Sequence, residues 1–324
     1  MKTALALIPL LEPIRSEMER VEHSLHEMLA KVEEPLNSML RRPLDGGKRL
    51  RSALVLLVGQ MFASPMEPFY RLAIAVEMLH TATLIHDDVV DESPLRRGYQ
   101  TLHTIWPTGA TVLAGDYLLA QAALLIAELG LPCILKVFAE TLCTMCAGEI
   151  KQMVANKGRY SHRENYYRSI EAKTASLFAA TAEMAGILAG AGEQQIAALR
   201  HYGWELGIAF QMADDVLDFT GDEARLGKPA GSDLRQGLVT LPAIYYLEEV
   251  KGDTVVHAVL SGQRDEESVR AAIGAVCSSG GIEAALAEAR VHASQSQEAL
   301  ATLPDNGSRQ ILRSLANYVV ERGY

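Results

Sequence analysis

Aspartates spaced one and four residues apart occur twice in this 324-residue chain. Asp87, Asp88 and Asp91 lie in Ile85-His86-Asp87-Asp88-Val89-Val90-Asp91; Asp214, Asp215 and Asp218 lie in Met212-Ala213-Asp214-Asp215-Val216-Leu217-Asp218, 127 residues later. On a helix, positions i and i+4 share a face and i+1 lies beside them, so each trio converges at one helix end. Three like charges in one turn repel, and apolar neighbours make their ionisation costlier still. The pattern makes sense if divalent cations absorb the charge. Oxygen-only ligands on a compact scaffold favour Mg²⁺ or Mn²⁺, which keep waters and take further ligands from phosphate oxygens. Zinc fits poorly, because neither trio contains cysteine and only His86 is adjacent. One such trio alone could be a solvated acidic helix end. Two copies, each flanked by apolar residues, read as one chemical device used twice.

Metals that bind phosphate oxygens imply cations for the same anion. Gly46-Gly47-Lys48-Arg49-Leu50-Arg51 opens a helix, where glycine backbone and a helix N-terminus already favour phosphate; Lys48 and Arg51 are three apart and share a face. Arg96-Arg97-Gly98 follows the first trio after Pro94, Lys173-Thr174 interrupts an apolar stretch, and Lys228 follows the second trio. Each basic residue taken singly reads as a solvated side chain. As a set in an acidic protein they read as two anion pockets around a metal-diphosphate centre.

These segments carry a resemblance. HDDVVDESPLRRG, GGKRLR, KTASLF and QMADDVLDFTGDEARLGKPAGSDLRQGLVTLP are similar, in order over residues 40–245, to the motifs of the trans-polyprenyl diphosphate synthases. The resemblance implies an all-α fold around a deep central cavity, a homodimer, and head-to-tail addition of isopentenyl diphosphate to an allylic diphosphate such as farnesyl or geranylgeranyl diphosphate. It implies about three Mg²⁺ per site, with Mn²⁺ able to substitute. Asp87 and Asp91 would bind Mg²⁺ with Asp88 in the same cluster; Asp214 would hold a further ion, with Asp215 and Asp218 in support. Arg96, Lys173, Thr174, Gln211 and Lys228 match positions on the allylic diphosphate side, Lys173 counting among the catalytic residues. Lys48, Arg51, His80 and Arg97 match the isopentenyl diphosphate pocket. Ser52 departs from the family pattern, which often has proline there, while the cationic positions are intact.

In such enzymes the residues just upstream of the first trio line the tunnel for the growing chain. Ala82 and Thr83 stand at the fifth and fourth positions before Asp87, and the helical period stacks Met78 and Leu79 one turn deeper. Short-chain synthases place a bulky aromatic there. Small residues imply a product of about C30 to C50, of the kind used for quinone side chains. The alternative products are farnesyl or geranylgeranyl diphosphate. A terpene cyclase shares one acidic trio and the ionisation, but needs neither an isopentenyl pocket nor the second trio.

The elements that must position these residues are helical throughout. Apolar periodicity predicts helices over about 14–40, 48–63, 66–92, 109–128, 132–156, 163–189, 193–220, 236–249, 265–276, 281–302 and 307–322, with almost no strand signal. Ala53 to Val58 and Leu118 to Ile126 lack a polar face, as expected inside a large bundle. No linker rich in proline, glycine or serine divides the chain, so residues 1–324 are expected to form one domain of ten or more helices.

Composition narrows the class. With 30 basic against 40 acidic residues the net charge is −10, which argues against a nucleic-acid surface. Four cysteines, at 133, 143, 146 and 277, suit a reducing cytoplasm better than a disulfide framework. Met1 to Leu11 reads as a docking helix rather than a signal peptide, since Glu12, Arg15, Glu17, Glu19 and Arg20 follow at once. No transmembrane segment is expected, because no stretch reaches about 18 uncharged apolar residues. Cys143-x-x-Cys146 has no second pair or histidine partner, and Glu77-x-x-His80 is half of a di-iron pattern whose other half is missing.

Overall fold

The computed structural model describes residue 7 and residues 9–96, 98–155, 163–221 and 230–321. The order is α1 (Arg15–Ala30), α2 (Leu36–Leu44), α3 (Leu50–Met61), α4 (Glu67–Val90), a hairpin of β1 (Leu95–Arg96) and β2 (Tyr99–Gln100), α5 (Leu102–Ile105), α6 (Thr108–Ala127) and α7 (Pro132–Ala155). Then come α8 (Arg163–Ile170), a π-helical segment (Glu171–Ala175), α9 (Ser176–Leu188), α10 (Glu193–Thr220), α11 (Ser232–Gln236), α12 (Leu241–Glu249), α13 (Val255–Leu260), α14 (Glu266–Ser278), α15 (Gly281–Ala299) and α16 (Gly307–Glu321). The fold is all-α, as the periodicity predicts.

The helices without polar faces lie at the centre. Leu54, Val55, Leu56 and Leu57 of α3 are fully buried, as are Leu72, Ala75, Leu79 and Ala82 of α4 and Phe178 and Met184 of α9. α3 packs on α4, α9 and α16; α10 packs on α9 and α15; α6 lies along α4. A second cluster, with Leu234, Val256, Val259, Val269 and Val276, joins α11, α13 and α14 to Phe219 at the end of α10. Two glycines let α10 approach its neighbour closely. A Cβ on Gly203 would strike the Phe178 carbonyl, and one on Gly207 would lie 2.6 Å from the Ala175 Cα.

Departures from the predicted elements have local causes. The helix expected over 14–40 breaks between α1 and α2 because Pro35 cannot continue it. The helix expected from 236 starts at Leu241, since Gly237 (φ +83°) closes α11 and Pro242 belongs in a first turn. The helix expected over 163–189 changes hydrogen-bond pattern at Glu171–Ala175. Among the described residues, α6 is long and apolar enough to cross a membrane, with mean hydropathy 1.6, although it is not the uncharged stretch that a span was expected to need. It carries Asp116 and buries Ala114, Leu118, Ala122 and Ile126 in the bundle.

Candidate active site

α4 delivers the first acidic trio at its last turn, where Asp91 caps the helix and donates its N–H to the Asp87 carbonyl at 2.8 Å. The three side chains have different fates. Asp87 is half-buried and its Oδ2 lies 3.2 Å from Lys173 Nζ. Asp88 turns inward, is 7% exposed, and accepts a 2.6 Å bond from Arg96 Nε on β1. Burial raises the Asp88 pKa against the opposing pull of Arg96. Asp91 is exposed at the helix end.

The π-helical segment carries Lys173 and Thr174 between the two trios. Lys173 Nζ also lies 3.2 Å from Glu149 Oε2 of α7. Burial works against the ammonium, yet Asp87, Glu149 and Asp91 together outweigh it and raise its pKa. Thr174 Oγ1 donates to Gln211 Oε1 at 2.7 Å, and Gln211 Nε2 donates to Asp215 Oδ1 at 2.9 Å. Tyr166 donates its hydroxyl to Asp215 Oδ2 at 2.6 Å. Adjacent residues of one segment therefore connect to both trios, Lys173 directly to Asp87 and Thr174 to Asp215 by way of Gln211. Asp215 is 2% exposed, and burial pushes its pKa well up. Asp218 is 1% exposed and accepts the Asp233 N–H at 3.1 Å, holding the turn into α11. Asp214 remains half-buried on α10.

The glycine turn before α3 supplies a second cationic group. Arg51 is buried, its guanidinium 4.3 Å from the Phe178 ring centroid, and its Nε has no hydrogen-bond partner among the described residues. Burial pushes its pKa down to about 10, against the fields of Glu77 and Asp214, so it stays charged at neutral pH. Lys48 is exposed beside it and His80 is half-buried on α4. Arg97 and Lys228 lie outside the described residues. Of the tunnel candidates, Ala82 and Leu79 are fully buried, Met78 is 2% exposed, and Thr83 is half-buried with its hydroxyl on the His80 carbonyl at 2.7 Å.

Among the described residues, no three His, Cys, Asp or Glu side chains gather into a metal-holding group. Mg²⁺ does not need such a group, since it binds through one or two carboxylates and completes its shell with water and substrate phosphate. Asp87, Asp91 and Asp214 are the less buried members of the two trios. Asp88, expected among the ligands, accepts a bond from Arg96 at Oδ1. Glu149 and Tyr166 were not visible as site residues in the sequence. Each sits in an ordinary helical pattern, and only its packing partner gives it meaning.

The model of the family described as Polyprenyl synthetase matches residues 33–276. The chain is 37% identical over 313 residues to heptaprenyl diphosphate synthase component 2 of Geobacillus stearothermophilus, covering 96% of this chain and 97% of that one. It is 34% identical to nonaprenyl diphosphate synthase of Mycobacterium tuberculosis, covering 95% and 93%. The polyprenyl synthase of Caulobacter crescentus, solved with calcium and isoprenyl diphosphate, superposes with a TM-score of 0.92 at 35% identity and 98% coverage of each chain.

Proposed function

The chain belongs to the polyprenyl synthetase family, and from that premise we propose how its residues carry out the reaction. It is a prenyltransferase of the long-chain polyprenyl diphosphate synthase type, joining isopentenyl diphosphate head-to-tail to an allylic diphosphate. The observation that carries the site reading is the bridge of Lys173 to Asp87 and, through Thr174 and Gln211, to Asp215. One segment thus sets the distance between two acidic clusters that must share one diphosphate.

Mg²⁺, about three ions held by Asp87, Asp91 and Asp214 with diphosphate oxygens and water, would neutralise the leaving group. Lys173 adds a fixed positive charge against the allylic diphosphate, and its lack of freedom between Asp87 and Glu149 means little reorganisation as charge develops. Arg51, with Lys48 and His80, holds isopentenyl diphosphate with its double bond toward the allylic carbon. The allylic C–O bond breaks, the double bond attacks the cation, and a C–C bond forms. The proton then lost from the adduct goes to the departed diphosphate, since no side chain among the described residues is placed as an evident base. Apolar walls keep water from the cation.

Small residues at 82 and 83 leave room for a product of about C30 to C50. The test is incubation with Mg²⁺, farnesyl diphosphate and isopentenyl diphosphate, followed by mass spectrometry. Polyprenyl diphosphates in that range are expected. Growth stopping at geranylgeranyl diphosphate, or a cyclised hydrocarbon, overturns this reading.

The assembly we propose is a homodimer of single-domain subunits. Val112, Leu113 and Leu124 on α6, and Ile150, Met153 and Val154 on α7, are each exposed. So many large apolar side chains on adjoining helices mark an interface. The name of the Geobacillus relative refers to a component. A second copy of this chain is the occupant that requires no further protein.

A further inference from the structure

Building on the proposed isopentenyl diphosphate pocket, we propose that Glu77 is its positioning residue. Glu77 clamps the turn Gly46-Gly47-Lys48-Arg49-Leu50-Arg51-Ser52 so that Lys48 and Arg51 face the diphosphate. Glu77 lies on α4 ten residues before Asp87, is 4% exposed, and has no part in the chemistry described above. Its Oε1 accepts the Ser52 N–H at 3.1 Å and lies 3.1 Å from the Ser52 hydroxyl, which is also 3.4 Å from the Ala73 carbonyl. Its Oε2 accepts from Arg49 Nη1 at 3.4 Å. Arg49, itself buried, is tied on its other side to Glu22 and to the Leu44 carbonyl.

The turn needs holding from outside. Gly46 (φ +75°), Gly47 (φ +98°) and Arg49 (φ +48°) all adopt the left-handed region within four residues. For arginine that conformation is unfavourable by itself. The Ser52 N–H is one of the donors that a helix start leaves without an intrahelical partner, and a carboxylate from another helix satisfies it. A buried carboxylate persists only when paired and hydrogen-bonded, and the Ser52 and Arg49 donors meet that condition.

Geometry transmits the constraint. Arg49 and Ser52 bracket Arg51, and Arg49 follows Lys48 directly. Arg51 has no bond at Nε to aim it; the backbone on either side, the Phe178 ring and the Glu77 field do so. Ser52 is the position where the family often has proline, which has neither the N–H nor the hydroxyl that Ser52 directs to Glu77. The glutamate of Glu77-x-x-His80 is therefore spent on the turn and not on a metal.

Calorimetric titration of isopentenyl diphosphate into wild-type protein and Glu77→Gln tests the clamp, alongside KM for both substrates and thermal melting. Losing the charge-assisted bonds is expected to raise Kd and KM for isopentenyl diphosphate about tenfold. KM for farnesyl diphosphate should stay within about twofold, a split that general loosening would not produce. Ser52→Ala, which removes only the hydroxyl, should give a smaller rise of about threefold, and it carries the test if Glu77→Gln does not fold. Parallel changes in both KM values, or an unchanged isopentenyl diphosphate KM in a folded variant, overturn the clamp. Failure of the wild-type protein to bind isopentenyl diphosphate overturns the pocket, and the clamp with it.

Discussion

At the scale of residues, the two acidic trios divide their labour by angle. Successive residues on a helix point about 100° apart, so the second aspartate of each trio cannot face the same space as the first. Asp88 and Asp215 turn into the protein, where Arg96 in one case and Tyr166 with Gln211 in the other receive them. The first aspartates, Asp87 and Asp214, stay half-buried. The same angular reasoning places Ala82 and Met78 one turn apart, both buried. Ala82→Phe is expected to shorten the product by several isoprene units, read by mass spectrometry of the products. Thr83→Phe, at a half-buried position, gives the same reading with less disturbance of packing. A folded variant with unchanged chain length would mean that another side chain sets the floor.

At the scale of elements, the π-helical segment is the joint of the site. One extra residue per turn shifts the register between α8 and α9. Lys173 then reaches Asp87 and Glu149 while Thr174 reaches Gln211. Its close seat on α10 depends on Gly207, where a Cβ would meet the Ala175 Cα at 2.6 Å. Gly207→Ala should therefore lower stability by about 1–3 kcal/mol and reduce kcat as Lys173 and Thr174 move, measured by thermal melting and steady-state kinetics. An unchanged melting temperature and kcat would show that the contact is soft. The hydrophobic period predicted helix at this segment but carried no sign of the altered register, because both forms bury the same apolar residues.

At the scale of the whole molecule, the exposed apolar side chains of α6 and α7 predict association. Sedimentation should give about twice the 35.2 kDa of the chain, and Leu113→Glu with Val154→Glu should return it to the monomer. A wild-type monomer at micromolar concentration would exclude this face as a homodimer interface. The sequence alone determined the all-α class, both aspartate trios and the cationic segments, because helical period and motif spacing are local properties written along the chain. It could not say that Asp88 and Asp215 turn inward, that Glu149 meets Lys173 and Tyr166 meets Asp215, or that Glu77 bonds a turn 25 residues before it. Those are meetings between distant segments, and a residue's partner across a bundle is decided by how helices pack, which only the tertiary structure settles.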